Sequence, residues 1–128
     1  MDKVRTAIVT DDDHDTRGIV SDLLELEEIH VVGTGKDGQE AVELYLKLRP
    51  HFVFLDVTMP NYDGLYALEI IKEINPYAKV IMITGDVTDK TKKRLDALNV
   101  PVFYKPIDMT KIMKFVNQTP STPLTELH

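Results

Sequence analysis

The sequence has no cysteine among its 128 residues. It therefore holds neither a disulfide framework nor a metal site built on thiolates, and this absence is typical of proteins in a reducing compartment. A chain of this length usually forms one domain, which buries about two thirds of its unfolded surface. Since 43% of the residues are hydrophobic, we expect a single cytoplasmic domain whose core needs no covalent crosslinks.

Long apolar runs are also lacking, and so is an excess of positive charge. No run approaches the roughly 18 residues of a membrane-spanning helix, and residues 1–10 carry charges where a secretory leader needs a longer apolar stretch. The 15 lysines and arginines are outnumbered by 21 aspartates and glutamates, which gives a formal net charge of −6. Non-specific nucleic-acid binding depends on clustered cations, so we expect a soluble protein that binds neither membranes nor nucleic acid directly.

Short apolar runs alternate with amphipathic segments along the chain. Runs typical of strands occupy residues 4–10, 29–32, 52–55, 79–84 and 102–104, and helical spacing follows at 15–27, 38–48, 65–74, 89–98 and 109–117. No two strands are adjacent in sequence, which predicts an α/β fold with a mostly parallel sheet and helices on both faces. Residues 118–128 contain prolines, serines and threonines, so we predict a domain over residues 1–117 followed by a disordered tail.

Polar residues stand where the predicted strands end. Asp11 and Asp12 follow the first strand, and Asp56 ends the third. Thr84 ends the fourth strand and Lys105 the fifth. The carboxyl ends of parallel strands lie along one edge of the sheet, where ligands bind. We therefore expect these residues, which are distant in sequence, to meet in one site.

A cluster of three carboxylates needs a positive partner. At 4 Å each pair repels by about 1 kcal/mol in water and about 4 kcal/mol at an effective dielectric constant of 20. An oxygen-only cluster suits a hard ion such as Mg²⁺, which commonly binds phosphate oxygens as well. Lys105 and the Thr84 hydroxyl suit the same anion, and Asp56 can accept a phosphoryl group as an acyl phosphate.

Four segments of the sequence match the motifs of a known family in order and spacing. They are Val9-Thr10-Asp11-Asp12, Leu55-Asp56-Val57-Thr58-Met59-Pro60 with Asp63-Gly64, Ile83-Thr84-Gly85, and Lys105-Pro106. The chain resembles the receiver domain of two-component response regulators over residues 4–117, and its length is that of the single-domain chemotaxis type. The resemblance implies a flavodoxin-like, doubly wound sheet of five parallel strands in the order 2-1-3-4-5, flanked by five helices.

The resemblance also implies a role for each acidic residue. Asp56 would be the phosphoacceptor. Asp12, Asp56 and the backbone carbonyl of Thr58 would be the Mg²⁺ ligands, while Asp11 would act mainly through a metal-bound water.

The remaining implications concern the phosphoryl group and its transfer. Thr84 and Lys105 would hold the phosphoryl oxygens, and the bond between Lys105 and Pro106 would be cis. The donor would be a histidine kinase or a phosphotransfer protein. No output domain follows in the sequence, so we expect the signal to pass to a separate effector protein.

Two features of the sequence concern residues that differ among members of the family. A switch aromatic usually stands three residues before the lysine, where this chain has Val102. Tyr104 projects to the same face of a strand and could take over that role. Thr58 and Asp86 fall where the family tunes the lifetime of the phosphoryl group, and we hypothesise that the Asp86 carboxylate slows small anionic donors.

Other functions remain as alternatives. A phosphate-independent receiver-like interaction module is one, and the valine at the switch position supports it. A Mg²⁺-dependent phosphohydrolase acting through an aspartyl phosphate is a second, although Asp11 to Asp15 lack the threonine that such enzymes place after an Asp-x-Asp pair. The cations of the fourth helix are interpreted as a solvated face, with partner docking as the alternative. Asp13 and Asp15 are interpreted as helix-capping residues.

Overall fold

The computed structural model of the protein describes residues 4–86 and 88–118. Five strands alternate with five helices, as the sequence predicts. The strands are β1 (Arg5–Thr10), β2 (Ile29–Gly35), β3 (Phe52–Asp56), β4 (Lys79–Thr84) and β5 (Val102–Tyr104). The helices are α1 (His14–Leu26), α2 (Gly38–Leu48), α3 (Gly64–Ile74), α4 (Asp89–Leu98) and α5 (Met109–Gln118).

The predicted boundaries differ from the observed ones by a few residues. β2 extends beyond the predicted end at residue 32 to Gly35, because Gly35 still pairs with Thr10 of β1. Gln118, predicted to begin the tail, is instead the last residue of α5. The rest of the predicted tail, from residue 119 onward, lies outside the described residues.

The sheet is parallel, with the strands in the order β2-β1-β3-β4-β5. The predicted α/β class and strand order are confirmed. Alternate side chains of each strand enter two apolar layers. One layer packs β-strand residues such as Val53 and Met82 against α2, α3 and α4, and the other packs Phe54 and Ile81 against α1 and α5. The buried sheet thus carries its polar strand ends to one rim.

Aspartates begin several of the helices. The side chain of Asp13 accepts a hydrogen bond from the backbone N–H of Thr16, which caps α1 and lowers the pKa of Asp13. The predicted capping role of Asp13 is confirmed. Asp63 caps α3 in the same way through the N–H of Tyr66, and this fixes the loop that follows the third strand.

A close backbone approach holds that loop under the site. The N–H of Gly64 donates to the carbonyl of Val57 at 2.9 Å. A Cβ atom at position 64 would overlap the carbonyl oxygen of Asp56, so glycine is required there. Within residues 4–86 and 88–118, no helix combines the length and the apolar character needed to cross a membrane.

Candidate functional site

Three aspartates converge at the carboxyl ends of β1 and β3. The two strands pair side by side, with Thr10 opposite Leu55, so the residues that follow in each strand become neighbours. Asp11, Asp12 and Asp56 each offer a carboxylate oxygen, and these atoms all lie within 4.8 Å of one another. Asp11 and Asp56 are 4% and 6% exposed, whereas Asp12 is exposed. The convergence expected from the strand ends is therefore present.

Lys105 supplies positive charge to this cluster. Its Nζ atom donates to Oδ2 of Asp11 at 2.9 Å and lies 3.5 Å from Oδ2 of Asp56. Burial acts to lower the pKa of Lys105, but the hydrogen bond that its ammonium donates to Asp11 and the charges of Asp56 and Asp11 outweigh burial and raise that pKa. The lysine therefore stays protonated and bridges the ends of β1 and β3 from the end of β5.

Asp56 is the residue whose protonation the site perturbs most clearly. Burial, followed by the charge of Asp11, raises the pKa of Asp56 from 3.8 to about 6. Lys105 and a hydrogen bond from the backbone N–H of Thr58 act in the opposite direction. The ionised Asp56 is thus destabilised by its surroundings, and additional positive charge at the site would stabilise it.

Thr84 lies fully buried at the end of β4, beside the strand that carries Asp56. Its Oγ1 accepts a hydrogen bond from the backbone N–H of Asp86 at 2.9 Å, which leaves its own O–H to donate elsewhere. The carbonyl of Thr84 accepts from the N–H of Lys105 at 2.8 Å. Thr84 and Lys105 are therefore tied together along the same rim.

A cleft of about 310 Å³ lies between the loop after β3 and the start of α4. Thr58 is exposed on one side of the cleft and Asp86 lines the other. Lys90 and Arg94 of α4 also line it. Val57 and Thr58, which directly follow Asp56 in the chain, also line this cleft.

Two contacts of the Arg17 guanidinium near the site were not anticipated from the sequence. Arg17 donates from Nη1 to the carbonyl of Asp11 at 2.8 Å, and its Nη2 lies 3.3 Å from Nδ1 of His14. The only signal in the sequence for these contacts is the position of Arg17, which lies in the first turns of α1 directly after an acidic run.

The positions that depart from the family pattern lie close to the fourth helix. Val102 packs against the core on the α4 side, and Tyr104, 40% exposed, follows it on the same strand face. Nζ of Lys92 lies 5.9 Å from the centre of the Tyr104 ring. The Asp86 carboxylate turns toward α4, where it accepts hydrogen bonds from Thr88 N–H at 2.9 Å and Thr91 Oγ1 at 2.8 Å.

The donor set fits a divalent cation. Three carboxylates meet one ammonium group, so the cluster keeps a net negative charge, and each ligand atom is a hard oxygen, as Mg²⁺ prefers. Burial and the charge of Asp11 raise the pKa of Asp56 and so disfavour its ionised form, which a bound cation would stabilise. The bond between Lys105 and Pro106 is cis, which confirms that prediction.

The chain is similar to known proteins over nearly all of its described length. The model of the family described as response regulator receiver domain matches residues 7–117. The chemotaxis protein CheY of Bacillus subtilis is 30% identical over 115 residues, covering 88% of this chain and 94% of that protein.

A second relative is much longer than this chain. The protein-glutamate methylesterase/protein-glutamine glutaminase of Archaeoglobus fulgidus is 41% identical over 93 residues, which cover 73% of this chain and 26% of that protein. This chain thus spans about a quarter of that relative's length. Among solved structures, the CheX-CheY-BeF3-Mg+2 complex from Borrelia burgdorferi matches with a TM-score of 0.80 and 29% identity, covering 88% of this chain and 86% of that one.

Proposed function

The chain belongs to the response regulator receiver family, and on that premise we propose that it accepts a phosphoryl group on Asp56 in a Mg²⁺-dependent reaction. Phosphorylation then switches a surface that a separate effector protein reads. The donor is a histidine kinase or a phosphotransfer protein, and the reaction takes place in the cytoplasm. The observation that carries the proposal is the buried Asp56 placed between two further carboxylates and the Lys105 ammonium.

The chemistry asks little of the protein beyond position and charge. An Asp56 carboxylate oxygen forms a bond to phosphorus while the bond from phosphorus to the donor's imidazole nitrogen breaks, and the electron pair stays on the imidazole. With a pKa of about 6, Asp56 is mostly ionised at neutral pH and can act as the nucleophile. The pairing of β3 with β4 and the close approach of Gly64 to the Asp56 backbone fix the position of Asp56.

The surrounding residues stabilise the transferred group. Lys105, 3.5 Å from Asp56 in this structure, is placed to pair with a phosphoryl oxygen. The Thr84 hydroxyl, which accepts from the Asp86 N–H, can donate its own proton to another phosphoryl oxygen. Asp12, Asp56 and the carbonyl of Thr58 would hold Mg²⁺, with Asp11 acting through a water, and the bound ion would supply positive charge to the phosphoryl oxygens.

Two features of the relatives support this proposal. The solved CheY from Borrelia burgdorferi, 29% identical to this chain, is in complex with BeF3 and Mg+2. The Bacillus subtilis protein described as chemotaxis protein CheY matches this chain over 94% of its own length. We further propose that neither nucleic acid nor a membrane is a direct partner.

The test is the intact mass after incubation with acetyl phosphate, with and without Mg²⁺. The wild type is expected to gain one phosphoryl group only with Mg²⁺, and Asp56→Asn is expected to gain none. Asp22→Asn, which removes an exposed carboxylate of α1, is the matched control and should label like the wild type. Label that persists on Asp56→Asn would place the acceptor elsewhere.

The same experiment separates the competing functions. No label from acetyl phosphate or from a kinase donor would favour the phosphate-independent interaction module, for which the valine at position 102 is the supporting observation. Release of many phosphates per protein from a phosphomonoester would instead indicate a phosphohydrolase.

A further inference from the structure

The β4–α4 junction contains a set of hydrogen bonds that joins the candidate site to the fourth helix. It begins at Thr84, whose Oγ1 accepts from the N–H of Asp86 at 2.9 Å. It continues through the Asp86 carboxylate, which accepts from the Thr88 N–H at 2.9 Å and from Thr91 Oγ1 at 2.8 Å. Three bonds therefore connect the buried hydroxyl at the site with the first turn of α4.

The Asp86 carboxylate is ionised in this arrangement. The hydrogen bonds from Thr88 and Thr91 lower the pKa of Asp86. Hydrogen bonds to a charged acceptor are shorter and stronger than those between neutral groups. The link from Asp86 to α4 thus resists separation, and the helix start is expected to follow when the Asp86 backbone is displaced.

Helix α4 is well suited to move as a unit. All of its residues lie in the described part of the chain, and Leu95 alone among them is buried. Helix α3, by contrast, buries five residues, including Leu65, Leu68 and Ile71. An element with little buried apolar surface is displaced at a low cost in free energy, whereas α3 is held firmly by the core.

A weaker contact reaches the same turn from β5. Lys92, next to Thr91, places its Nζ atom 5.9 Å from the centre of the Tyr104 ring. Tyr104 directly precedes Lys105, which contacts Asp11 and Asp56. The first turn of α4 is therefore connected to both of the residues that the proposed function assigns to the phosphoryl oxygens.

We propose that Asp86 and Thr91 relay the position of the Thr84 hydroxyl to α4, and that this relay serves where the chain has Val102 in place of a switch aromatic. Asp86 and Thr91 are positioning residues that do not touch the phosphoryl group. The inference rests on the proposed function, because the displacement of Thr84 comes from its hydrogen bond to the group on Asp56. A ligand can shift such an equilibrium only through contacts that differ between the two states, and the Thr84 hydroxyl supplies one.

The test uses beryllofluoride with Mg²⁺ as a stable mimic of the phosphoryl group, followed by amide NMR shifts in the full chain. In the wild type, we expect shifts both at the site, at Asp56 and Thr84, and along α4. In Thr91→Val, which removes the hydroxyl while keeping the side-chain shape, the site shifts should persist and the α4 shifts should fall at least threefold. Thr91→Ser restores the hydroxyl and should restore the α4 response.

Further variants control for indirect effects. Lys93→Met changes an exposed neighbour on α4 and should leave the response intact. Asp86→Ala removes this hydrogen bond together with the one from the Thr88 N–H, so adding Thr91→Val to Asp86→Ala should cause no further loss of the α4 response. If Thr91→Val does not fold, the α4 shifts of Asp86→Ala test the relay in its place.

The outcomes distinguish the relay from the function on which it depends. Site shifts together with undiminished α4 shifts in Thr91→Val and Asp86→Ala would overturn the relay and leave the proposed function standing. An absence of shifts at Asp56 and Thr84 in the wild type would overturn the proposed function and the relay with it. Loss of the α4 response in Thr91→Ser would also contradict the relay, because the hydroxyl is still present.

Discussion

Replacing Asp56 by asparagine should stabilise the protein when Mg²⁺ is absent. The pKa of Asp56 lies at about 6 instead of 3.8, chiefly because of burial and of the Asp11 charge. One pKa unit corresponds to about 1.36 kcal/mol, so ionising this carboxyl costs the fold at most about 3 kcal/mol. Solvent at the open side of the site screens part of this, and we expect Asp56→Asn to raise the free energy of unfolding by about 1 to 2 kcal/mol at pH 7.5.

The pH dependence of this effect follows from the direction of the pKa change. Between pH 4 and pH 6 the folded protein keeps a proton on Asp56 that the unfolded chain has already lost, so the stability contributed by this group falls as the pH rises through that window. Below pH 4 both states are protonated, and the difference between wild type and Asp56→Asn should shrink toward zero. Above pH 6 the difference should reach its plateau.

Urea unfolding between pH 4 and pH 8 in EDTA measures this difference directly. Adding saturating Mg²⁺ should reduce or reverse it, because an ion that binds the folded wild type stabilises that state. Asp22→Asn, an exposed change on α1, should show no such pH dependence. The reasoning would be refuted by an Asp56→Asn protein that is no more stable than the wild type at pH 7.5, or by a difference that does not change with pH.

Five further substitutions test other parts of the structure. Lys105→Met removes a cation 2.9 Å and 3.5 Å from two carboxylates, so Mg²⁺ should bind roughly fivefold more tightly by calorimetry, while labelling by acetyl phosphate slows. Gly18 is exposed within α1 and a new Cβ there meets open space, so Gly18→Ala should raise the free energy of unfolding by about 0.8 kcal/mol. In Gly64→Ala the new Cβ meets backbone, so this change should lower the free energy of unfolding by about 3 kcal/mol. Equal effects of the two changes in urea unfolding would contradict the positions given to these glycines. Asp86→Ala should speed labelling by acetyl phosphate about threefold if its negative charge at the cleft repels anionic donors, and an unchanged rate would count against that role. Thr10→Val should raise the free energy of unfolding by about 1 kcal/mol, because the buried Thr10 hydroxyl has no hydrogen-bond partner among the described residues. A loss of stability in this variant would show that the hydroxyl is satisfied.

The fold and the meeting of the carboxylates could be predicted because both follow from short-range patterns. Phe52 to Leu55 form an unbroken apolar run that ends at Asp56, and such a run is typical of a strand covered on both faces. Once β1 and β3 are parallel neighbours, Asp11 and Asp56 must lie side by side at one rim. The strand order itself came from the family resemblance, since no local pattern specifies which strands pair.

The loop contacts could not be predicted from the same patterns. The sequence led to the hypothesis that the Asp86 carboxylate slows small anionic donors, but it did not indicate which groups this carboxylate contacts. In the structure it accepts hydrogen bonds from Thr88 and Thr91 at the start of α4 and lines the cleft. Its direction depends on the dihedral angles of a short junction and on where α4 begins. The contact of Lys92 with Tyr104 likewise depends on where α4 lies relative to β5. No local sequence pattern specifies that placement.

The central claim is that Asp56 itself carries the phosphoryl group. Borohydride reduces an acyl phosphate of aspartate to homoserine, so treating the protein after incubation with acetyl phosphate and Mg²⁺, followed by peptide mass spectrometry, locates the modified residue. The account predicts homoserine at position 56 in the wild type and at no position when Mg²⁺ is left out. Homoserine at position 11 or 12, or no conversion in a wild type that has gained phosphoryl mass, would contradict it.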